Sequence, residues 1–153
     1  YFKLTNLVNA TYISEENAKE LPEEIKLNNV RILLAEDNML NAEIAMTLLA
    51  DANAYVELAP DGEKALSMLK RATDGYYDLI IMDIQMPHMN GYEATKNIRG
   101  LPDGRCRIPI IAMTANAFEE DRKRAIESGM NGYVTKPIKI EELISTIKKI
   151  LKS

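Results

Sequence analysis

Five side chains in this sequence together carry the means for one reaction. Glu36 and Asp37 follow the apolar run "VRILLA" (30–35), Asp83 ends "YDLIIMD" (77–83), Thr114 ends "IPIIAMT" (108–114), and Lys136 follows "GYVT" (132–135). A carboxylate closing a greasy run is out of place in a core, because a buried ion needs a partner. Three carboxylates brought together repel, and one takes up a proton unless a cation sits among them. Oxygen donors alone, in a solvated setting, suit Mg²⁺ with its retained waters, or Mn²⁺. No cysteine lies near these run ends, so zinc is disfavoured. With a metal and Lys136 supplying positive charge, the missing partner is an anion, and a phosphoryl group fits. A carboxylate is already ionised at neutral pH, so it attacks phosphorus without a general base and forms an acyl phosphate. The metal and Lys136 would then offset charge on the equatorial oxygens. Thr114 would hydrogen-bond one of those oxygens.

For that chemistry the elements must bring the five residues together. The apolar runs read as strands over 30–35, 54–59, 77–83, 108–114 and 132–135. Helices fall between them. Residues 38–50 carry Leu40, Ile44, Ala45, Leu48 and Leu49 at helical spacing, and Asp61 caps a helix with Ala65, Leu66, Met68 and Leu69 inward. Further helices are expected over 92–99 and 117–128, the second with Glu119, Glu120 and Asp121 at its positive end. The last helix carries the stripe Ile140, Leu143, Ile144, Ile147, Ile150 and Leu151. Strand–helix repeated five times predicts an α/β fold of three layers, a flavodoxin-like (βα)5 sandwich with a parallel sheet. Strands one, three and four are nearly all apolar and belong in the centre; two and five are half polar and belong at the edges. That distribution fits the order 2-1-3-4-5, and in such sheets ligands bind beyond the carboxyl ends of the strands. Those ends are where Glu36, Asp37, Asp83, Thr114 and Lys136 lie.

The stretches "LLAEDN", "IIMDIQMPHMNGYEAT", "IPIIAMTANAF" and "GMNGYVTKPI" resemble the receiver domain of two-component response regulators (CheY-like), in the family's order and spacing from about Val30 to Leu151. Their flavour is similar to receivers fused to hybrid sensor histidine kinases. The resemblance implies that Asp83 is the phosphoacceptor and that Asp37 is a direct Mg²⁺ ligand beside Glu36. Gln85 falls where the family offers a backbone carbonyl to the metal. Thr114 matches the switch hydroxyl, Tyr133 the switch aromatic, and Lys136 the site lysine. Lys136–Pro137 matches a peptide bond that is usually cis in the family. The implied partner is a histidine phosphotransfer domain or a histidine kinase dimerisation domain. Phosphoryl–Thr114 bonding would free space for Tyr133 to turn inward.

Each residue also has a plainer reading. Asp37–Asn38 caps the first helix in isolation, and Thr114 taken alone caps the fourth. Tyr133 on an edge strand is ordinarily a packing residue. His88, the sole histidine, is expected to be exposed and inert. Met82, Met86, Met89 and Met113 read as core or loop filler, and Lys148, Lys149 and Lys152 as a solvated helix face. What favours the sharper reading is the whole set standing at matching strand ends. A haloacid-dehalogenase-like phosphatase also uses a strand-end aspartate, but it wants a second acid two residues on, where this chain has Gln85. A degenerate receiver serving as a phosphate-free scaffold would lack part of the set. A stand-alone response regulator is the nearer alternative.

The 153 residues suit one domain preceded by an appendage, with 1–28 expected as a linker or upstream tail and 29–153 as the receiver. The net charge of −4 argues against nucleic acid as a partner. No apolar stretch approaches the roughly 18 residues of a membrane span, so no direct membrane contact is expected, and no signal peptide opens the chain. The single cysteine, Cys106, has no internal partner, which makes a cytoplasmic setting the default. A monomer is expected for the isolated domain. The non-methionine start and the stop at Ser153, just after the last helix, lead to the expectation of a C-terminal receiver in a longer kinase, anchored to a membrane only through an upstream sensor. Met39 and Leu40, beside the acidic pair, are candidates for contact with a partner helix.

Overall fold

The structure, a computed structural model, describes residues 26–152. Its elements run β1 (Arg31–Ala35), α1 (Met39–Asp51), β2 (Tyr55–Ala59), α2 (Gly62–Arg71), β3 (Leu79–Asp83), α3 (Gly91–Arg99), a 3₁₀ turn (Gly104–Arg107), β4 (Ile110–Thr114), α4 (Glu119–Ser128), β5 (Gly132–Thr135) and α5 (Ile140–Lys152). The five strands form one sheet in the order β2-β1-β3-β4-β5, and every neighbouring pair is parallel. All five residues of β3 and all five of β4 are buried. At the edge, β2 alternates exposed and half-buried positions until Ala59.

Two cores lie on the two faces of the sheet, and the period-two alternation of the strands sorts residues between them. Leu33, Ala35, Ile80, Met82, Ile110 and Ala112 face α2, α3 and α4. Their neighbours Ile32, Leu34, Leu79, Ile81, Ile111 and Met113 face α1 and α5. Side chains fix where the helices start. Asn38 Oδ1 accepts from the Asn41 amide at 2.9 Å, and Asp61 Oδ1 from that of Lys64 at 2.8 Å. Asn90 and Glu93 close a reciprocal capping box at the start of α3.

In α1 the helical spacing read from the sequence does not coincide with the buried face. Leu40, a candidate for partner contact, is 66% exposed, and Ile44, on the same spacing as Ala45 and Leu49, is 46% exposed. The helix instead buries Ala42, Ala45 and Leu49. Nine of its thirteen residues are apolar, so spacing alone does not select the inward stripe; the small alanines let the helix lie close to the sheet. The strand starts also shift, by one or two residues, because Tyr77–Asp78 and Ile108–Pro109 lead into β3 and β4 outside the ladder. Before β1, Leu27 is buried, and its N–H donates to the Ala52 carbonyl at 2.6 Å. Most of the segment expected as a linker, residues 1–25, lies outside those described.

Arg99 fastens the far end of the sheet. Its Nε and Nη2 donate to the Gly129 carbonyl at 2.9 and 2.8 Å, and Nη1 donates to the Cys106 and Ile108 carbonyls at 2.9 and 2.7 Å. The guanidinium thus holds the segments that feed β4 and β5, the strands that deliver Thr114 and Lys136.

Candidate functional site

Sheet register sets the lateral spacing of the site. Ala35 pairs with Met82, so Glu36, the next residue on the chain, emerges beside Asp83. Asp83 pairs with Met113, and Thr114 pairs with Thr135, the residue before Lys136. The Lys136 ammonium lies between two carboxylates, 3.0 Å from Glu36 Oε1 and 3.2 Å from Asp83 Oδ2. The second Glu36 oxygen accepts the Asn38 amide at 3.0 Å. Asp83 Oδ1 accepts the Gln85 amide at 3.3 Å. Oxygens of Glu36, Asp37 and Asp83 all lie within 4.8 Å of one another. Glu36 and Asp83 are buried and Asp37 is exposed. The Lys136–Pro137 peptide is cis.

The electrostatics follow from this crowding. Burial, then the Glu36 charge, push the Asp83 carboxyl up to about 6, against the opposing pull of Lys136. Burial disfavours the Lys136 ammonium, but its contacts with Glu36 and Asp83 outweigh that and hold it above its ordinary range. Three carboxylates against one ammonium leave two negative charges uncompensated. With oxygen donors and no sulfur or imidazole among them, the set fits a hard divalent cation.

The remaining candidates occupy the adjoining wall. Thr114 does not cap α4, whose N-cap, Phe118, makes no side-chain bond. Its Oγ1 instead accepts the Asn116 amide at 3.1 Å, closing a turn just beyond β4. The Tyr133 hydroxyl donates to the carbonyl of the same Asn116. Its ring is half-buried against the core. Asn116 therefore links the two residues singled out as a switch, a role its side chain gave no reason to suspect. A cleft of about 470 Å³ opens beside the carboxylates, with Asp37, Gln85, Thr114, Asn116, Asp121 and Arg124 among its walls. His88 is exposed as expected, but it sits at φ 67° in a tight turn, which its type did not announce. Met82, Met86 and Met113 are buried filler.

A five-stranded parallel sheet in this order, with an acidic cluster and a lysine at its carboxyl edge, is the arrangement of a two-component signalling domain. The model of the response regulator receiver domain matches residues 32–148, and the chain belongs to that family. Over 122 residues it is 42% identical to hybrid signal transduction histidine kinase M of Dictyostelium discoideum, covering 78% of this chain and 5% of that kinase. It is 39% identical, with a TM-score of 0.73, to the receiver domain of a sensor histidine kinase from Pseudomonas aeruginosa PAO1, covering 82% of this chain and 99% of that one. That crystal structure holds a magnesium ion coordinated in the active-site cleft. A Saccharomyces cerevisiae co-crystal pairs a histidine phosphotransfer protein with the receiver domain of its downstream response regulator. Its match is 30% identical with a TM-score of 0.69, covering 80% of this chain and 88% of that one. The chain spans 5–14% of the length of the first histidine kinases it matches.

Proposed function

We propose that Asp83 accepts a phosphoryl group from a phosphohistidine in a Mg²⁺-dependent reaction. The observation that carries this reading is the Lys136 ammonium held 3.0 Å from Glu36 and 3.2 Å from Asp83, with Asp37 completing the acidic cluster. An Asp83 oxygen attacks phosphorus, the phosphorus–nitrogen bond to the imidazole breaks, and its electron pair returns to the ring. Glu36, Asp37 and Asp83, with the Gln85 backbone carbonyl, would hold the metal. Bound there, Mg²⁺ supplies positive charge to the phosphoryl oxygens. Lys136 bridges Asp83 and Glu36 beforehand and turns toward the transferred group. Thr114 exchanges the Asn116 amide for a phosphoryl oxygen. No side chain is required as a base.

The donor is a helical protein, either a phosphotransfer domain or a kinase dimerisation domain. Met39, Leu40 and Ile44 stand exposed on α1 beside the acidic pair, where such a helix would bring its histidine. The likeness to hybrid kinases supports a receiver built into one of them, on the cytoplasmic side of any membrane the whole protein meets. No helix among the described residues is long and apolar enough to cross a membrane. The rival phosphatase reading lacks its second acid, since Gln85 holds that position. Acetyl phosphate with Mg²⁺ should add one hydroxylamine-labile phosphoryl group by intact mass. An Asp83→Asn protein that still gains it would sink the assignment.

A further inference from the structure

We propose that Gly62 is a positioning residue for the metal site: it seats the loop between β3 and α3 at the height that aims the Gln85 carbonyl. This rests on the metal reading above and deepens it. The loop is a closed arch. At its neck the Gly91 amide donates to the Ile84 carbonyl at 2.9 Å. At its apex the Met89 amide donates to the Pro87 carbonyl at 2.7 Å, with His88 between them at φ 67°. A three-residue turn of this hand is rare and strained, and such strain persists only where the surroundings impose it. Gln85 lies on the ascending limb, its amide already engaged by Asp83 Oδ1.

What lies against the apex is Gly62, the first residue of α2. A Cβ there would stand 2.5 Å from the Met89 carbonyl oxygen and 3.2 Å from Ala94 Cβ. The first obstacle is backbone, not the end of a flexible side chain, so a methyl group must displace either the arch or α2. The helix is the stiffer body, fixed by the Asp61 cap and by the buried Ala65 and Leu69. The arch therefore yields, and the Gln85 peptide turns with it. Mg²⁺ demands near-octahedral geometry at about 2.0–2.1 Å, whereas Ca²⁺ accepts irregular sites at about 2.3–2.6 Å. A displaced carbonyl thus costs Mg²⁺ far more than Ca²⁺, and loss of fold stability alone would not reproduce that difference.

Titration calorimetry with each cation on folded wild type, Gly62→Ala and Gly62→Ala/Ala94→Gly tests the seat. Gly62→Ala should weaken Mg²⁺ about tenfold or more, the usual cost of disturbing groups behind a metal ligand, and Ca²⁺ less than about threefold. Removing the Ala94 methyl lets the new one lean toward α3 instead, so the double variant should return Mg²⁺ to within about threefold of wild type. Equal weakening of both cations, or no weakening, overturns the seat. If the single variant does not fold, a double variant that folds with the wild-type preference supports it, and one with lost preference opposes it. Failure of both to fold makes Gly62 a requirement of the fold and overturns the positioning role. Wild type that binds no Mg²⁺ overturns the metal reading itself, which the variants do not affect.

Discussion

At Asp83 the proposed reactivity and the cost to the fold have one origin. Burial and Glu36 raise its carboxyl from 3.8 to about 6. A carboxyl raised on folding stabilises the protein in its protonated form; that contribution is fully present below 3.8 and is lost as pH rises through 6. At neutral pH without metal, the ionised Asp83 is therefore a liability. Asp83→Asn keeps the shape and removes the charge. In EDTA at pH 7.5, urea unfolding should show the variant more stable by about 1–2 kcal/mol, less than the full shift implies because Lys136 loses a partner. The advantage should shrink toward pH 4, and Mg²⁺ should narrow it by binding wild type preferentially. A variant less stable at both pH values would mean that the Lys136 pair outweighs the repulsion.

At the scale of elements, β4 and β5 carry the proposed switch as a pair. Thr114 accepts the Asn116 amide, and Tyr133 donates to the Asn116 carbonyl. Drawing the Thr114 hydroxyl toward a phosphoryl group at Asp83 releases that amide and changes what holds Tyr133, which supplies the differential contact a switch needs. With a stable phosphoryl mimic, the Asn116 amide should exchange faster with solvent and the Tyr133 ring resonances should move; in Thr114→Val neither change should depend on the mimic. Unaltered Asn116 and Tyr133 signals in the wild type would refute the coupling. The strand ends were legible in the sequence because continuous apolar runs that stop on polar groups mark buried parallel strands, and the acidic, hydroxyl and ammonium residues fall there. Asn116 was not legible, since it acts through its backbone. Arg99 was hidden for a related reason: it bonds three backbone carbonyls and the Asn131 side chain, in loops that only the fold brings together. Nor could spacing orient α1, where apolar residues surround the axis.

For the molecule as a whole, the site opens at one pole of the sheet, where α1 exposes Met39, Leu40 and Ile44, the surface proposed for a partner. These side chains are 64%, 66% and 46% exposed, an apolar patch of the kind that marks a docking surface. Met39→Lys should slow phosphotransfer from a protein donor about tenfold or more, as loss of an interface anchor does, while acetyl phosphate labels the protein at its usual rate. Equal slowing with both donors would count against docking. The proposed reaction joins one atom pair, Asp83 oxygen to phosphorus, and chemical mapping reaches it most directly. After labelling with a phosphoryl donor and Mg²⁺, borohydride reduces an aspartyl phosphate to homoserine, which peptide mass spectrometry locates. Homoserine at position 83 alone, absent when EDTA replaces Mg²⁺, is the predicted result. Reduction at position 37 or elsewhere, or labelling indifferent to the metal, would contradict the account.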